Sequence, residues 1–261
     1  VVSMMLVKVG GSVICNGGLD KVVNDVAPGT ILIHGGGCMV NSMMERMGIK
    51  PIILKHPNGY TSRYTDEETL KVYVMTMMLI NKFLVSKLVA RGVRAIGLSG
   101  ADLKLVTARR KEKIMIIDDR GRTRVIDGGF SGKVTDVNVK LVQSLMDSSD
   151  VLVISPIAVS PEGMLLNVDG DQIAENLAIS MGVKGLIILT NVDGVLINGK
   201  PIGKVTRDNA QQVLPHTTGG MRRKLETALK LSERGIRTII ANGLKDNPIR
   251  SALAGEGTVV E

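Results

Sequence analysis

Two lysines, one aspartate, one arginine and three glycine-rich turns are the residues of this chain whose types and spacing can do chemistry. Lys8 lies inside the apolar stretch MLVKV (5–9), two residues before the pair Gly10–Gly11. Lysine is almost never fully buried without a partner, so Lys8 either reaches solvent at a strand end or faces an anion there. The turns VGGS (9–12) and HGGG (34–37) follow apolar runs, and TTGGM (217–221) opens a helical pattern. Any one of them can be a plain tight turn. A glycine turn also leaves backbone N–H groups free and lets an anion approach closely. A helix N-terminus beyond it adds partial positive charge. Three such turns, two at strand ends, favour an anion site. Lys224 lies one turn into the helix that TTGGM opens, and Asp171, in NVDGDQ (167–172), could hold such lysines in place. Asp169 and Asp171 could instead be acids at a helix N-terminus, and Asn167 either an amide for a substrate or a turn residue. Arg63 sits between Tyr60 and Tyr64, in a chain with only three tyrosines, two phenylalanines and no tryptophan.

These residues need elements to hold them. Apolar runs at 5–9, 30–34, 93–99, 151–155, 185–190 and 237–242 read as strands. Helical patterns at 19–26, 38–47, 66–91, 138–147, 170–181, 219–235 and 246–254 alternate with them. Thr65 or Asp66 could cap the long helix and Gly92 end it. KIMIIDDRGRTRVI (113–126) reads as a hairpin with DDRG at its turn. The alternation predicts an α/β fold, a mostly parallel sheet covered on both faces, with ligands at the C-terminal strand ends.

Familiar nucleotide motifs are missing: the chain has no P-loop, no GxGxxG after a strand and no protein-kinase signature set. Cys15 and Cys38 give neither metal spacing nor a disulfide framework, so two reduced thiols and no protein-only metal site are expected. The 261 residues, 44% hydrophobic, are enough for one compact unit. The longest apolar run, VYVMTMMLI (72–80), is too short to span a bilayer, and the start of the chain lacks signal-peptide features. A soluble, cytoplasmic protein without a membrane partner is expected. The net charge of +8 attracts anionic partners. Nucleic acid is disfavoured, because no recognition motif appears and stacking aromatics are nearly absent.

The strings VKVGGS, ILIHGGGCMV, SRYTDEET, AIGLSGAD, LVISPIAVSPEGMLLNVDGDQIA, LTNVDGVL and GGMRRKLETAL together resemble the amino-acid kinase family, most closely its acetylglutamate kinase branch. They occur in the family's order across essentially the whole chain. The resemblance implies a three-layer α/β/α sandwich that transfers a phosphoryl group from ATP, with Mg2+, to a side-chain carboxylate. It implies an acid-binding and dimer-forming lobe at about 1–160 and a nucleotide lobe at about 161–261. Carried over by motif, Lys8 and Lys224 stabilise the transferring group and Asp171 organises them. Gly10, Gly11, Gly36 and Gly37 supply backbone donors, the first two toward the nucleotide and the last two toward the substrate. Arg63 and Asn167 hold the acid. Asn191, Asp193, Gly194, His216, Thr217 and Thr218 line the nucleotide. One departure is Asn191, where the family commonly has aspartate; Asp193 is the residue that could compensate. The chemistry agrees with the physics: a carboxylate nucleophile is ionised at neutral pH and needs no general base.

Two branches differ in the acid. One takes free N-acetylglutamate; the other takes aminoadipate or glutamate joined through its amine to a small acidic carrier protein. GYTSRYTDEET (59–69) and VIDGGFSGKV (125–134) resemble the carrier-linked branch. The basic segments RRKEK (109–113) and RGRTR (120–124) could steer an acidic carrier, or be a solvated hairpin. The carrier-linked acid, phosphorylated to an acyl phosphate for lysine or arginine synthesis, is the leading expectation. Free N-acetylglutamate and a catalytically silent amino-acid-binding regulator are the alternatives. A homodimer through the helix at about 66–91 is implied as well.

Overall fold

The computed structural model describes residues 4–261. Its centre is an eight-stranded sheet in the order Lys204–Val205, Thr258–Val260, Arg237–Asn242, Gly185–Thr190, Met5–Val9, Thr30–His34, Val151–Ser155, Ala95–Ser99. From Arg237–Asn242 to Ala95–Ser99 every neighbour is parallel. Thr258–Val260 runs antiparallel to Arg237–Asn242. The expected mostly parallel sheet is therefore present. Its inner strands are apolar runs buried on both faces, as parallel strands under two helical layers must be.

The helices, in chain order, are α1 (Gly11–Cys15), α2 (Leu19–Asp25), α3 (Gly37–Arg46), α4 (Glu67–Ala90), α5 (Val139–Ser148), α6 (Gly170–Met181), α7 (Arg207–Val213), α8 (Gly219–Ser232) and α9 (Pro248–Leu253). Strand alternation sorts them into two layers. Val7, Val9, Leu32, Val153, Ile187 and Leu189 pack toward α1–α4 and α9. Leu6, Ile31, Ile33, Leu152, Ile154 and Ile188 pack toward α5–α8. The result is a three-layer α/β/α sandwich.

Asp66 caps α4, its carboxylate accepting from the Thr69 amide at 2.8 Å. The chain leaves that helix through Gly92 at φ +78°, a conformation that favours glycine. At 24 residues α4 is long and apolar enough to cross a membrane, more than its apolar run alone implied. Its buried stripe, from Val72 through Tyr73, Met77, Ile80 and Leu84 to Leu88, packs instead against the sheet. Asp25, at the end of α2, accepts from the amides of Ile249 at 2.6 Å and Arg250 at 2.9 Å and so fixes the start of α9.

Two smaller four-stranded sheets extend the chain around the site. One joins Leu165–Asn167, Ile157–Val159, Val106–Arg110 and Gly132–Val137; the other joins Thr61–Arg63, Ile53–Lys55, Lys113–Ile117 and Thr123–Asp127. The second contains the expected hairpin. The short strands beside it carry no long apolar alternation, so the sequence does not announce them.

The cysteine expectation is overturned: Cys15 and Cys38 form a disulfide, with Cα atoms 6.5 Å apart. The reason is topological. The glycine turns after two adjacent parallel strands launch α1 and α3 side by side, so the last residue of α1 meets the first turn of α3. Spacing in the chain does not reveal that proximity.

Candidate active site

Because the central strands are parallel, they end at one edge. Gly10–Gly11, Gly35–Gly37, Pro156 and Asn191 all follow strands there. A cleft of about 760 Å³ opens beside this edge, and Lys8, Gly36, Arg63, Asn167, Asp171 and Lys224 are among the residues that line it.

Asp171 stands in the first turn of α6, held there by Asp169, whose side chain accepts from the Asp171 amide at 2.9 Å. Its two oxygens face two ammonium groups, Lys8 Nζ at 2.8 Å and Lys224 Nζ at 3.4 Å. The side chains of Lys8 and Asp171 are each only 7% exposed, and that of Lys224 14%. Burial works to raise the Asp171 carboxyl, and Lys8 followed by Lys224 outweighs it, so its pKa lies below the usual carboxylate range. Burial, and then the Lys8 charge, pull Lys224 below the ordinary ammonium value despite Asp171. Two cations share one anion, leaving a net positive charge out of water. Such a charge is costly unless an anion completes it.

The glycine turns press backbone against backbone. A Cβ on Gly11 would stand 2.8 Å from the Gly36 amide nitrogen, and one on Gly35 would stand 2.8 Å from that of Gly11. Among the described residues, the amides of Gly11, Gly36 and Gly37 have no backbone acceptor. Gly10 corrects the expectation. Its amide is taken by the Leu189 carbonyl at 2.9 Å, because the ladder between the two parallel strands runs one residue further. Gly36 and Gly37 line the cleft, and Gly11, packed directly against Gly36, adjoins it.

His34, fully buried under the second turn, is 2.9 Å from the Gly35 carbonyl through Nδ1 and 2.9 Å from the Ser155 hydroxyl through Nε2. A carbonyl only accepts, so Nδ1 carries the proton and Nε2 accepts from Ser155. Burial lowers its pKa to about 4, with Lys8 adding to the effect against the Gly35 bond. It is neutral and fully engaged at neutral pH.

Arg63 ends its short strand and reaches across to α3. Its Nε donates to Asn41 Oδ1 at 2.8 Å and its Nη2 to the Gly37 carbonyl. Asn167 donates to the Thr65 hydroxyl at 2.9 Å. Sequence reading missed Asn41. The available signal was its position one helical turn after Gly37, on the same face. It also assigned Tyr73 no place in the site. Tyr73 lines the cleft and donates its hydroxyl to the Pro156 carbonyl at 2.7 Å, and burial pushes its pKa up. Lys111, read only as part of the basic segment RRKEK, and Arg223, given no role, line the same cleft.

The residues assigned to a nucleotide lie outside this cleft. Asn191, Asp193 and Gly194 follow the Gly185–Thr190 strand. Asp193 accepts from the Asn242 amide at 3.0 Å and pairs with Lys245 at 3.3 Å, and it lines a separate cleft of about 280 Å³. These partners, Asn242 first, hold its carboxyl below the usual range. His216, Thr217 and Thr218 form the approach to α8. Thr218 is the N-cap, but its side chain makes no capping bond, so it leaves the first-turn amides to another acceptor.

The amino acid kinase family model matches residues 3–242. A protein of Caldivirga maquilingensis, provisionally named LysW-aminoadipate/LysW-glutamate kinase, is 78% identical over 99% of this chain and 100% of its own length. A protein of Saccharolobus islandicus with the same kinase name is 44% identical over 98% of this chain and 99% of its own. Among solved structures, N-acetylglutamate synthase from Neisseria gonorrhoeae superposes with a TM-score of 0.80 at 21% identity, covering 99% of this chain. This chain spans 59% of that longer one, and the likeness concerns the fold alone.

Proposed function

The chain belongs to the amino acid kinase family, and from that premise we propose that it phosphorylates the side-chain carboxylate of aminoadipate or glutamate borne on a small acidic carrier protein. It is a phosphotransferase that uses ATP. The observation that carries the reading is the buried Lys8–Asp171–Lys224 arrangement, whose surplus positive charge faces the cleft.

The phosphoryl group in transfer spreads negative charge over its outer oxygens, and fixed donors aimed at that charge lower the barrier. Lys8 and Lys224 supply two ammonium groups, Asp171 keeps them in place, and the amides of Gly11, Gly36 and Gly37 supply backbone donors. The acid needs no base to ionise it, and His34, neutral and bonded on both nitrogens, offers none. Mg2+ would arrive on the nucleotide phosphates, where it supplies charge neutralisation; Asp171, the cleft acid between the two lysines, is already committed to both. Arg63 holds a substrate carboxylate with the donors that Gly37 and Asn41 leave free, and Asn167 holds its amide. We place the acid in the lobe of about 1–160 and the nucleotide in that of about 161–261, around Asn191, Asp193, Gly194 and His216–Thr218.

Two features support a carrier-borne acid. The segments SRYTD and VIDGGFSGKV, distant in sequence, form one rim at the cleft. The Phe130 amide donates to the Thr65 carbonyl at 2.7 Å, and the Phe130 carbonyl accepts from the Asn167 amide at 2.8 Å. The basic hairpin runs into that rim, its second strand Thr123–Asp127 overlapping VIDGGFSGKV. Arg122 and Arg124 pair with Asp118 there, and Arg110 with Asp127, so the carrier would meet a partly neutralised surface. We also propose a cytoplasmic homodimer through α4, whose outer face exposes Met75, Leu79 and Phe83 at four-residue spacing.

Lys8→Ala and Lys224→Ala test the reading of the buried pair. Each should lower kcat by on the order of a hundredfold or more, with a much smaller change in KM for the acid. Wild-type turnover in either variant would contradict it.

A further inference from the structure

Arg223 stands beside Lys224, one turn into α8, and makes no ion pair with Asp171. Its guanidinium lies over the Tyr60 ring, 4.2 Å from the ring centre, well within cation–π range. Its Nη2 makes an ion pair with Asp169. Both side chains of that pair are largely shielded, 26% and 22% exposed.

Each partner is attached to another part of the site. Asp169 caps α6 and fixes the Asp171 amide. Tyr60 lies in the turn before the Thr61–Arg63 strand, three residues from Arg63. Its ring stacks with His56, with centres 5.4 Å apart. His56 is itself pinned, 3.0 Å from the Met115 carbonyl and 2.7 Å from the Ser62 hydroxyl. Arg223, Tyr60, His56 and Asp169 all line the large cleft. One guanidinium thus joins three elements that carry Arg63, Asp171 and Lys224. Only a planar fork can place its face on a ring and its edge on a carboxylate together; an ammonium is a point charge without that shape.

We propose that Arg223 is a positioning residue that clasps the Tyr60 wall of the acid site to the N-terminal ends of α6 and α8, setting Lys224 and Asp171 against the substrate. The clasp rests on the phosphotransfer reading and not on which acid is used. It couples the two halves of the reaction: the wall that encloses the acid also seats the lysine that meets the phosphoryl group.

The test is a double-mutant cycle on Arg223→Met and Tyr60→Leu, run with the carboxylate acceptor that the wild-type protein phosphorylates best. A failure of the carrier assignment therefore leaves the cycle intact. Each single variant should lower kcat by on the order of tenfold to a hundredfold, raise KM for the acid, and leave KM for ATP nearly unchanged. The double variant should lose little more than the worse single one. Arg223→Lys should recover only part of the loss, and Tyr60→Phe, which keeps the ring face, should stay closer to wild type than Tyr60→Leu. Thermal unfolding of every variant checks that it folds. Losses that multiply in the double variant would overturn the clasp. So would variants that unfold at lower temperature with kcat and both KM values unchanged.

Discussion

A single carboxylate between two ammonium groups costs a protein solvation that it recovers only through close pairing, and Asp171 has that pairing on both oxygens. The residue types were legible in the sequence, because a lysine inside an apolar strand is an anomaly wherever it occurs. The pairing was legible only as one of two readings of Asp171, the other being a helix N-terminal acid, since Asp171 and Lys224 are 53 residues apart and come together through the packing of α6 on α8. Gly10 shows the converse: its type was read correctly, but its amide is spent on Leu189. His34 gives this scale its prediction. Its folded pKa of about 4 lies below the ordinary 6.5, so the unfolded chain takes up the proton first. The stabilisation is complete above pH 6.5 and is lost as pH falls from there toward 4, by about 3 kcal/mol in all. Urea unfolding across that window should show the slope in wild type and a shallower one in His34→Gln. Equal slopes would rule out a neutral His34 as its source.

At the scale of elements, the strands and helices of the sandwich were readable because buried parallel strands are apolar runs and the helices between them are periodic. The readings failed where an element is short and held by neighbours. Ile53–Lys55 and Thr61–Arg63 exist because they pair with each other and the first of them with the hairpin, and the disulfide exists because α1 and α3 start from adjacent strands. In α4 the sequence shows apolar residues around most of the helix, and the structure divides them. Val72, Met77, Ile80 and Leu84 face the sheet, whereas Met75, Leu79 and Phe83 remain exposed, at 52%, 39% and 46%. An exposed apolar stripe on a helix so firmly packed calls for a covering partner, and a second copy of the chain is the partner proposed. Phe83→Glu should shift the protein from dimer to monomer in analytical ultracentrifugation while leaving its fold intact. A monomeric wild-type protein, or a dimeric variant, would count against this face.

For the whole molecule, the charge of +8 bears on encounter more than on chemistry. An acidic carrier gains association rate from it, and that gain falls with ionic strength; a free amino acid derivative gains little. The rim where Thr65, Phe130 and Asn167 meet joins the two segments that set the carrier-linked reading apart from its rival, so under the proposed function the acid is selected at the mouth of the cleft. The most direct measurement is phosphorylation by the purified protein, with ATP, of carrier-linked aminoadipate, carrier-linked glutamate and free N-acetylglutamate side by side. The account predicts that kcat/KM for at least one carrier-linked acid exceeds that for N-acetylglutamate by on the order of a hundredfold or more, about 3 kcal/mol of discrimination, and that the margin narrows as salt is raised. Equal or better turnover of free N-acetylglutamate would contradict it.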